Sequence, residues 1–458
     1  MHTLAELQRG NIRPEDLGPE KRLRLAEGLT EFPREIFALA EHIEVLDMSG
    51  NQISSLPDDF GRFKNLKIVF FADNHFDHVP EVLAQCKKLE MVGFKNNRIE
   101  RFCESALPDS VHWLILTGNR ISALPENFGR LTRLRKLALA GNDIQSLPDS
   151  MANCQALELI RLSANQLTHL PDWLFQLPKL AWLALAGNPV TRSSPLTQKS
   201  DQQKNVQTLC QQDFAVLTPD DFSLKQKIGE GASGHIYKAT SQPFAHEDEI
   251  AIKLFKGAIT SDGYPDDEIE CCLQAGSHPN LVSVLAKVED DSNNGLAMRL
   301  IPQGYRNLGL PPSLQTCTRD TFMAGSTLAV DDIMRVMLHM TQAVQHLHEN
   351  QISHGDIYAH NTMVNDDWHV LFGDFGAATN LSVLPLAQQA AMAQIEVRAL
   401  GCMLDDLLSL VLPTQQCSCF ELLMALAQSA LQGQLDSRPT LTSFEQGLNH
   451  IRLQLATV

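Results

Sequence analysis

Apolar residues return along the first part of the chain with a fixed period. Seven asparagines, Asn51, Asn74, Asn97, Asn119, Asn142, Asn165 and Asn188, stand 22 or 23 residues apart. Apolar residues lie five and three positions before each: Leu46/Met48, Val69/Phe71, Val92/Phe94, Leu114/Leu116, Leu137/Leu139, Ile160/Leu162 and Leu183/Leu185. Another apolar residue follows each Asn by two positions, and Pro57, Pro80, Pro125, Pro148 and Pro171 follow theirs by six. An earlier copy runs through Leu23, Leu25, Leu29, Phe32 and Pro33, with Glu27 in place of the Asn, and a short helix over Leu4 to Gln8 precedes it. The alternating pairs predict one short strand per repeat and an irregular or helical return. A repeat this short cannot bury its own apolar face, so the copies must stack. The Asn amide both donates and accepts, and so can satisfy turn backbone that stacking removes from water.

After residue 190 the pattern changes. Residues 191–218 are polar and aperiodic, with Gln202-Gln203 and Gln211-Gln212 among them, and read as a linker. The second domain opens near Thr218-Pro219-Asp220. Residues alternate on both sides of Gly229-Glu230-Gly231-Ala232-Ser233-Gly234, which predicts a hairpin turning on glycines. Asp331 to Glu349 carries Ile333, Val336, Met337, Met340, Val344 and Leu347 on one helical face. The expected organisation is a repeat domain with its cap over 1–190, a linker over 191–218 and a second domain over 219–458.

The chemistry gathers in His354-Gly355-Asp356-Ile357-Tyr358-Ala359-His360-Asn361 and Asp374-Phe375-Gly376. One carboxylate can orient and deprotonate a hydroxyl, and a carboxylate with an amide can hold magnesium, which takes oxygen ligands. Asn361 follows Asp356 by five residues. Upstream, Ala251-Ile252-Lys253 supplies a strand lysine, which needs a carboxylate partner if half-buried. Glu268 is the preferred candidate, because Ile269, Cys271, Cys272 and Ala275 then share an apolar face; Glu270 is the alternative. The ordered set resembles a eukaryotic-type protein kinase over roughly residues 219–450, and the repeats resemble the leucine-rich repeat.

That resemblance implies an α/β solenoid followed by an α+β two-lobed domain that uses ATP and Mg2+. It implies that Ile228, Gly229, Gly231, Gly234, Ile236, Ala251, Met298 and Leu300 surround the nucleotide. Lys253, paired with Glu268, would hold its phosphates, Asn361 and Asp374 would bind the metal, and Asp356 would orient the acceptor. Ile395 to Leu410 resembles the helix beneath the catalytic loop, with Glu396 where Asp is usual. Three departures bear on the acceptor. Gly355 stands where an arginine would pair with a phosphorylated activation loop, only 22 residues separate Asp374 from Glu396, and Arg438 lacks its usual glutamate. H-G-D with a later Asn is also similar to small-molecule phosphotransferases.

Charge narrows the partners. The net charge of −17 is uneven: residues 201–458 carry 14 basic and 30 acidic groups. This argues against nucleic acid or an anionic membrane as their partner. No apolar run is long enough to span a membrane, no secretory signal opens the chain, and the ten cysteines form no C-x-x-C pair. A cytoplasmic protein with reduced thiols is expected. Strand positions between the repeat core residues, among them Ile68, Phe70, Met91, Trp113, Ile115, Leu159 and Trp182, should line an apolar concave face for a protein substrate or regulator, with Trp113 and Trp182 as anchors. The expected function is an ATP-dependent serine/threonine protein kinase with repeats for partner recognition. A small-molecule phosphotransferase and a non-catalytic scaffold are the alternatives.

Overall fold

The computed structural model describes residues 2–455 except 193–214, 232, 258, 261 and 290–293. The chain divides into two compact units, Met1–Lys179 and Leu180–Val458.

The first unit opens with α1 (Leu4–Gln8), capped by Thr3, whose hydroxyl accepts from Glu6 N while the Glu6 carboxylate accepts from Thr3 N. Seven three-residue strands follow: β1 (Arg22–Arg24), β2 (Val45–Asp47), β3 (Ile68–Phe70), β4 (Met91–Gly93), β5 (Trp113–Ile115), β6 (Lys136–Ala138) and β7 (Leu159–Arg161). They pair in parallel, each with the next, in matching register. Pro57, Pro80 and Pro148 stand just before 3-10 turns of the return segments, where a fixed φ helps and no N–H is needed. The last return of this unit is the helical turn α2 (Asp172–Phe175).

The asparagines form a ladder between repeats. Asn74 Oδ1 accepts from Ile53 N at 3.0 Å, and its Nδ2 donates to Met48 O and Ala72 O. Asn97, Asn119 and Asn142 repeat this arrangement one unit further on each time. Each amide thus joins two repeats and replaces the water that stacking removed. The core pairs from Leu46/Met48 to Ile160/Leu162 are fully buried.

The expected apolar concave patch is not exposed. Ile68, Phe70, Trp113 and Ile115 are half-buried, while Met91, Leu159 and Arg161 are buried. Lys136 Nζ lies 4.3 Å from the centroid of the Trp113 ring, so neighbouring repeats cover the aromatic surface with a cation. Among the described residues, every exposed large hydrophobic lies in the second unit.

The second unit begins earlier than residue 219. It includes β8 (Trp182–Ala184), the last copy of the repeat pattern, and β9 (Ala215–Leu217), from the end of the expected linker. Strand β9 joins a six-stranded sheet ordered β10 (Phe222–Glu230), β11 (Gly234–Ser241), β12 (Ile250–Phe255), β14 (Asn294–Arg299), β13 (Val284–Glu289), β9. Leu217 packs in the core of this sheet with Ile250, Ile252 and Val288, which is why the linker ends before it. The linker's residues 193–214 lie outside the described residues.

Helix α3 (Pro265–Ala275) packs on this sheet, and the strands β15 (Arg306–Asn307), β16 (Ile352–Ser353), β17 (Thr362–Val364), β18 (Val370–Phe372) and β19 (Thr379–Asn380) carry the loops between the sheet and a helical lobe. The lobe is built from α4 (Val330–Glu349), α5 (Leu386–Leu408), α6 (Ser418–Ala430) and α7 (Leu441–Leu455). Helix α5 starts nine residues before the expected Ile395: the chain enters it directly after Pro385, so the short stretch that follows Asp374-Phe375-Gly376 runs straight into the helix.

Candidate active site

Two hairpin-like pairings fix the two chemical loops. Strand β16 pairs with β19, aligning Ser353 with Thr379, and β17 pairs with β18, aligning Thr362 with Phe372. The loop 354–361 therefore leaves one pairing and enters the other, and the segment 373–378 does the same in reverse. Residues distant in sequence are thus tied at both ends of each loop.

His354 sits at the centre of this arrangement and is fully buried. Its ring stacks on Phe372 with centroids 4.0 Å apart, Nε2 donates to Gly373 O at 3.1 Å, and Nδ1 accepts from Asp356 N at 3.3 Å. The two bonds require a neutral ring protonated on Nε2, and burial pushes its pKa down in the same direction. His354 is a spacer between the loops, not an acid or base. Asn361 Nδ2 donates to Asp356 Oδ2 at 2.9 Å and to Asp356 O at 3.1 Å. Both amide hydrogens are thereby used, so the Asn361 side-chain oxygen is the atom that could accept a further bond or a metal.

Across the cleft, Lys253 on β12 bonds Glu268 on α3, and both are buried. Glu270, the alternative partner, is exposed. Lys253 Nζ also lies 4.0 Å from Asp374 Oδ1. Burial works against the lysine charge, but Glu268 and Asp374 outweigh it and hold the pKa above the ordinary value. Burial pushes the Glu268 carboxyl up, with Asp374 and Asp262 adding to the effect against the pull of Lys253. One lysine thus faces two carboxylates, an excess of negative charge that suits a site completed by a cation. Asp374 itself is exposed and holds a left-handed backbone, φ 62°, which a non-glycine residue adopts at a cost and mostly at functional positions.

The glycine hairpin is β10–β11, closed by Gly231 N donating to Gly234 O at 3.0 Å. Gly234 must be glycine, because a Cβ there would stand 2.5 Å from Leu254 O on β12. Gly229 and Gly231 have room for a side chain, and Ala232 lies outside the described residues. Ile228 is exposed, Ile236, Met298 and Leu300 are half-buried, and Ala251 is buried. Arg299, at the end of β14, donates to Glu247 at 2.9 Å.

Several supports were not legible as such. Glu396 is buried, accepts from Gly355 N at 2.7 Å and bonds His348. Burial works against its charge, but His348 and Gly355 N hold its carboxyl below the usual range. Asp320 accepts from Ala359 N and bonds His360, each at 2.6 Å, bracing the far half of the loop. Arg438 is buried and donates to Gln432 O at 2.8 Å and Gln394 O at 3.0 Å, so backbone carbonyls take the place of the glutamate that the sequence lacks. Trp182 is not an open anchor. It is 2% exposed, stacks on Tyr358 with centroids 4.6 Å apart, and its Nε1 donates to Ile357 O at 3.0 Å. No periodic signal could reveal this, since the bond spans 175 residues.

The protein kinase domain model matches residues 222–395, and leucine rich repeat models match residues 42–63, 109–166 and 132–190. The chain has leucine-rich repeats followed by a protein kinase domain. The serine/threonine-protein kinase PLK4 of Nematostella vectensis is 28% identical over 170 residues, 36% of this chain and 16% of that protein. A probable receptor-like protein kinase of Arabidopsis thaliana is 29% identical over 155 residues, 33% of this chain and 41% of that protein. The probable serine/threonine-protein kinase PBL20 of the same plant is 29% identical over 165 residues, 34% of this chain and 40% of that protein. The chain thus spans less than half the length of each of these relatives. No helix among the described residues is long and apolar enough to cross a membrane.

Proposed function

We propose that this leucine-rich repeat kinase transfers the γ-phosphoryl group of ATP to serine or threonine hydroxyls of a protein, with Mg2+, in the cytoplasm, and that its repeats recognise the protein partner. The observation that carries the reading is the Lys253–Glu268 pair held 4.0 Å from Asp374, with Asp356 tied to Asn361 on the facing loop. ATP would supply the transferred group, between the glycine hairpin and Met298. Lys253, kept charged and oriented by Glu268, would hold phosphate oxygens. Asn361 Oδ1 and the exposed carboxylate of Asp374 suit a magnesium ion, which takes few protein ligands and completes its shell with phosphate and water. Asp356, aligned by Asn361, would accept the proton of the attacking hydroxyl. The preference for serine and threonine over other acceptors draws on the curated relatives named as serine/threonine kinases. Cytoplasmic placement accords with nine described cysteines that are all unpaired.

The short activation segment favours a second reading, a small-molecule acceptor, because α5 begins at Leu386 and little chain is left to grip a peptide. Labelled-ATP transfer by the purified full chain, offered a peptide library and a metabolite extract, separates the two. Label in Ser/Thr peptides, lost in Asp356→Ala, supports the first. Label only in metabolites supports the second, and no magnesium-dependent label in either rejects both.

A further inference from the structure

The last repeat belongs to the kinase unit, and its contacts fall on the parts that chemistry depends on. Besides Trp182 on the catalytic loop, Leu185 N donates to Thr379 Oγ1 at 3.1 Å, in the segment after Asp374-Phe375-Gly376. Thr379 is fully buried. At the other end of the repeat, a Cβ on Gly187 would stand 2.6 Å from Asp267 Oδ2 and 2.7 Å from the Tyr264 ring. Gly187 has φ +76°, so glycine is required there both for conformation and for close approach. Arg192 lies over the Tyr264 ring and 3.9 Å from Asp267. Tyr264 caps α3, and Asp267 precedes Glu268, the partner of Lys253. One short stretch therefore touches the catalytic loop, the activation segment and the helix that orients the lysine.

Gly355 explains how the stretch fits. It has φ +72°, and a Cβ there would stand 2.6 Å from Ala377 O and 3.0 Å from Leu183 O. The position where the sequence lacks a phosphate-pairing arginine is closed by the backbone of the repeat strand and the activation segment. Any side chain would displace one of them.

We infer that the terminal repeat, residues 180–192, is a built-in brace that positions Asp356 and Glu268 for phosphoryl transfer, in place of a phosphorylated activation segment, with Trp182 as its chief positioning residue. This rests on the kinase reading above. The brace acts through the loop backbone: the indole bond fixes Ile357 O, the residue next to Asp356, and the stacked ring fixes Tyr358. A small displacement of a reacting group slows transfer by up to about 100-fold. Such a loss appears in kcat when Trp182 or Thr379 is changed, since both bear on the loop side, while the KM for ATP, set by Lys253 and the glycine hairpin, stays near wild type.

The test uses the full chain with Trp182→Phe, which keeps an aromatic ring but not the Nε1 donor, and Thr379→Val, which removes the hydroxyl that accepts from Leu185. Each should lower kcat about 10-fold or more at unchanged KM for ATP. Each should also speed amide hydrogen exchange across residues 354–361, while the repeats of the first unit exchange as in wild type. Unchanged kcat and unchanged exchange in both variants overturn the inference, and so does a rise in kcat, which would make the repeat a restraint. The exchange measurement needs no activity. If wild type transfers no phosphate, the kinase reading fails, and exchange alone still decides whether the repeat braces the loop.

Discussion

The repeat unit and the kinase unit use buried polar groups in opposite ways. In the repeats, each buried Asn bonds backbone about one repeat length away, and the same partners recur from copy to copy. In the kinase unit, buried ionisable groups take partners that do not recur, across unrelated spans: Glu268 with Lys253, Asp320 with His360, Glu396 with His348. The first arrangement is neutral and repeated, so no one position is special. The second is charged and unique, so each partner depends on the other. The periodic half is chemically quiet, and the aperiodic half concentrates buried charged pairs around the candidate site.

The largest test of this contrast is Lys253→Met. It leaves Glu268 buried without its cation, which should destabilise the second unit by about 3–5 kcal/mol. Glu268→Met in the same chain should restore much of that loss, although transfer stays absent. Chemical denaturation followed by hydrogen exchange in each unit reads both effects. If Lys253→Met unfolds at the wild-type midpoint, the pair is not the buried charge partnership described above.

Asn97→Ala, Asn119→Ala and Asn142→Ala should each cost about 1–3 kcal/mol in the first unit, through orphaned backbone groups. The three values should agree closely, because the three side chains have equivalent partners. A wide spread among them would break the idea of a uniform ladder.

Asp267→Asn should act in the opposite direction and be smaller. Burial pushes the Asp267 carboxyl up to about 6 against the pull of Arg192. A raised carboxyl loses stability as pH climbs from its unfolded value near 4 through 6, because the fold disfavours the charged form. The asparagine variant should therefore match wild type below about pH 4 and exceed it by roughly 1–2 kcal/mol above pH 6, after allowance for partial exposure. Thermal unfolding across this range gives the answer, and equal stability at pH 7 would show that Asp267 is comfortably ionised where it stands.

The same contrast explains what could be read from sequence. The strands, the core pairs and the Asn ladder repeat, so seven copies reinforce one another. Lys253, Asp356, Asn361 and Asp374 stand out in the sequence by their types and order, and the structure places Lys253 4.0 Å from Asp374 and bonds Asn361 to Asp356. Glu268 was separated from Glu270 only by the apolar face it shares with Ile269 and Cys272. The roles of Asp320, His348 and Trp182 were hidden, because each is defined by contacts with distant residues. Trp182 misled for a further reason. Its place in the repeat period predicts a concave-face residue, whereas the catalytic loop covers it.

The measurement closest to the centre of the account is the magnesium-dependent initial rate of the full chain before and after phosphatase treatment, with Ser382→Ala and Asp374→Asn alongside. Thr379 is buried and already bonded to Leu185, and Ser382 is exposed. The account predicts nearly equal rates for treated, untreated and Ser382→Ala protein, and a loss of about 100-fold or more in Asp374→Asn. A rate that collapses on phosphatase treatment, or one that survives Asp374→Asn, would contradict it.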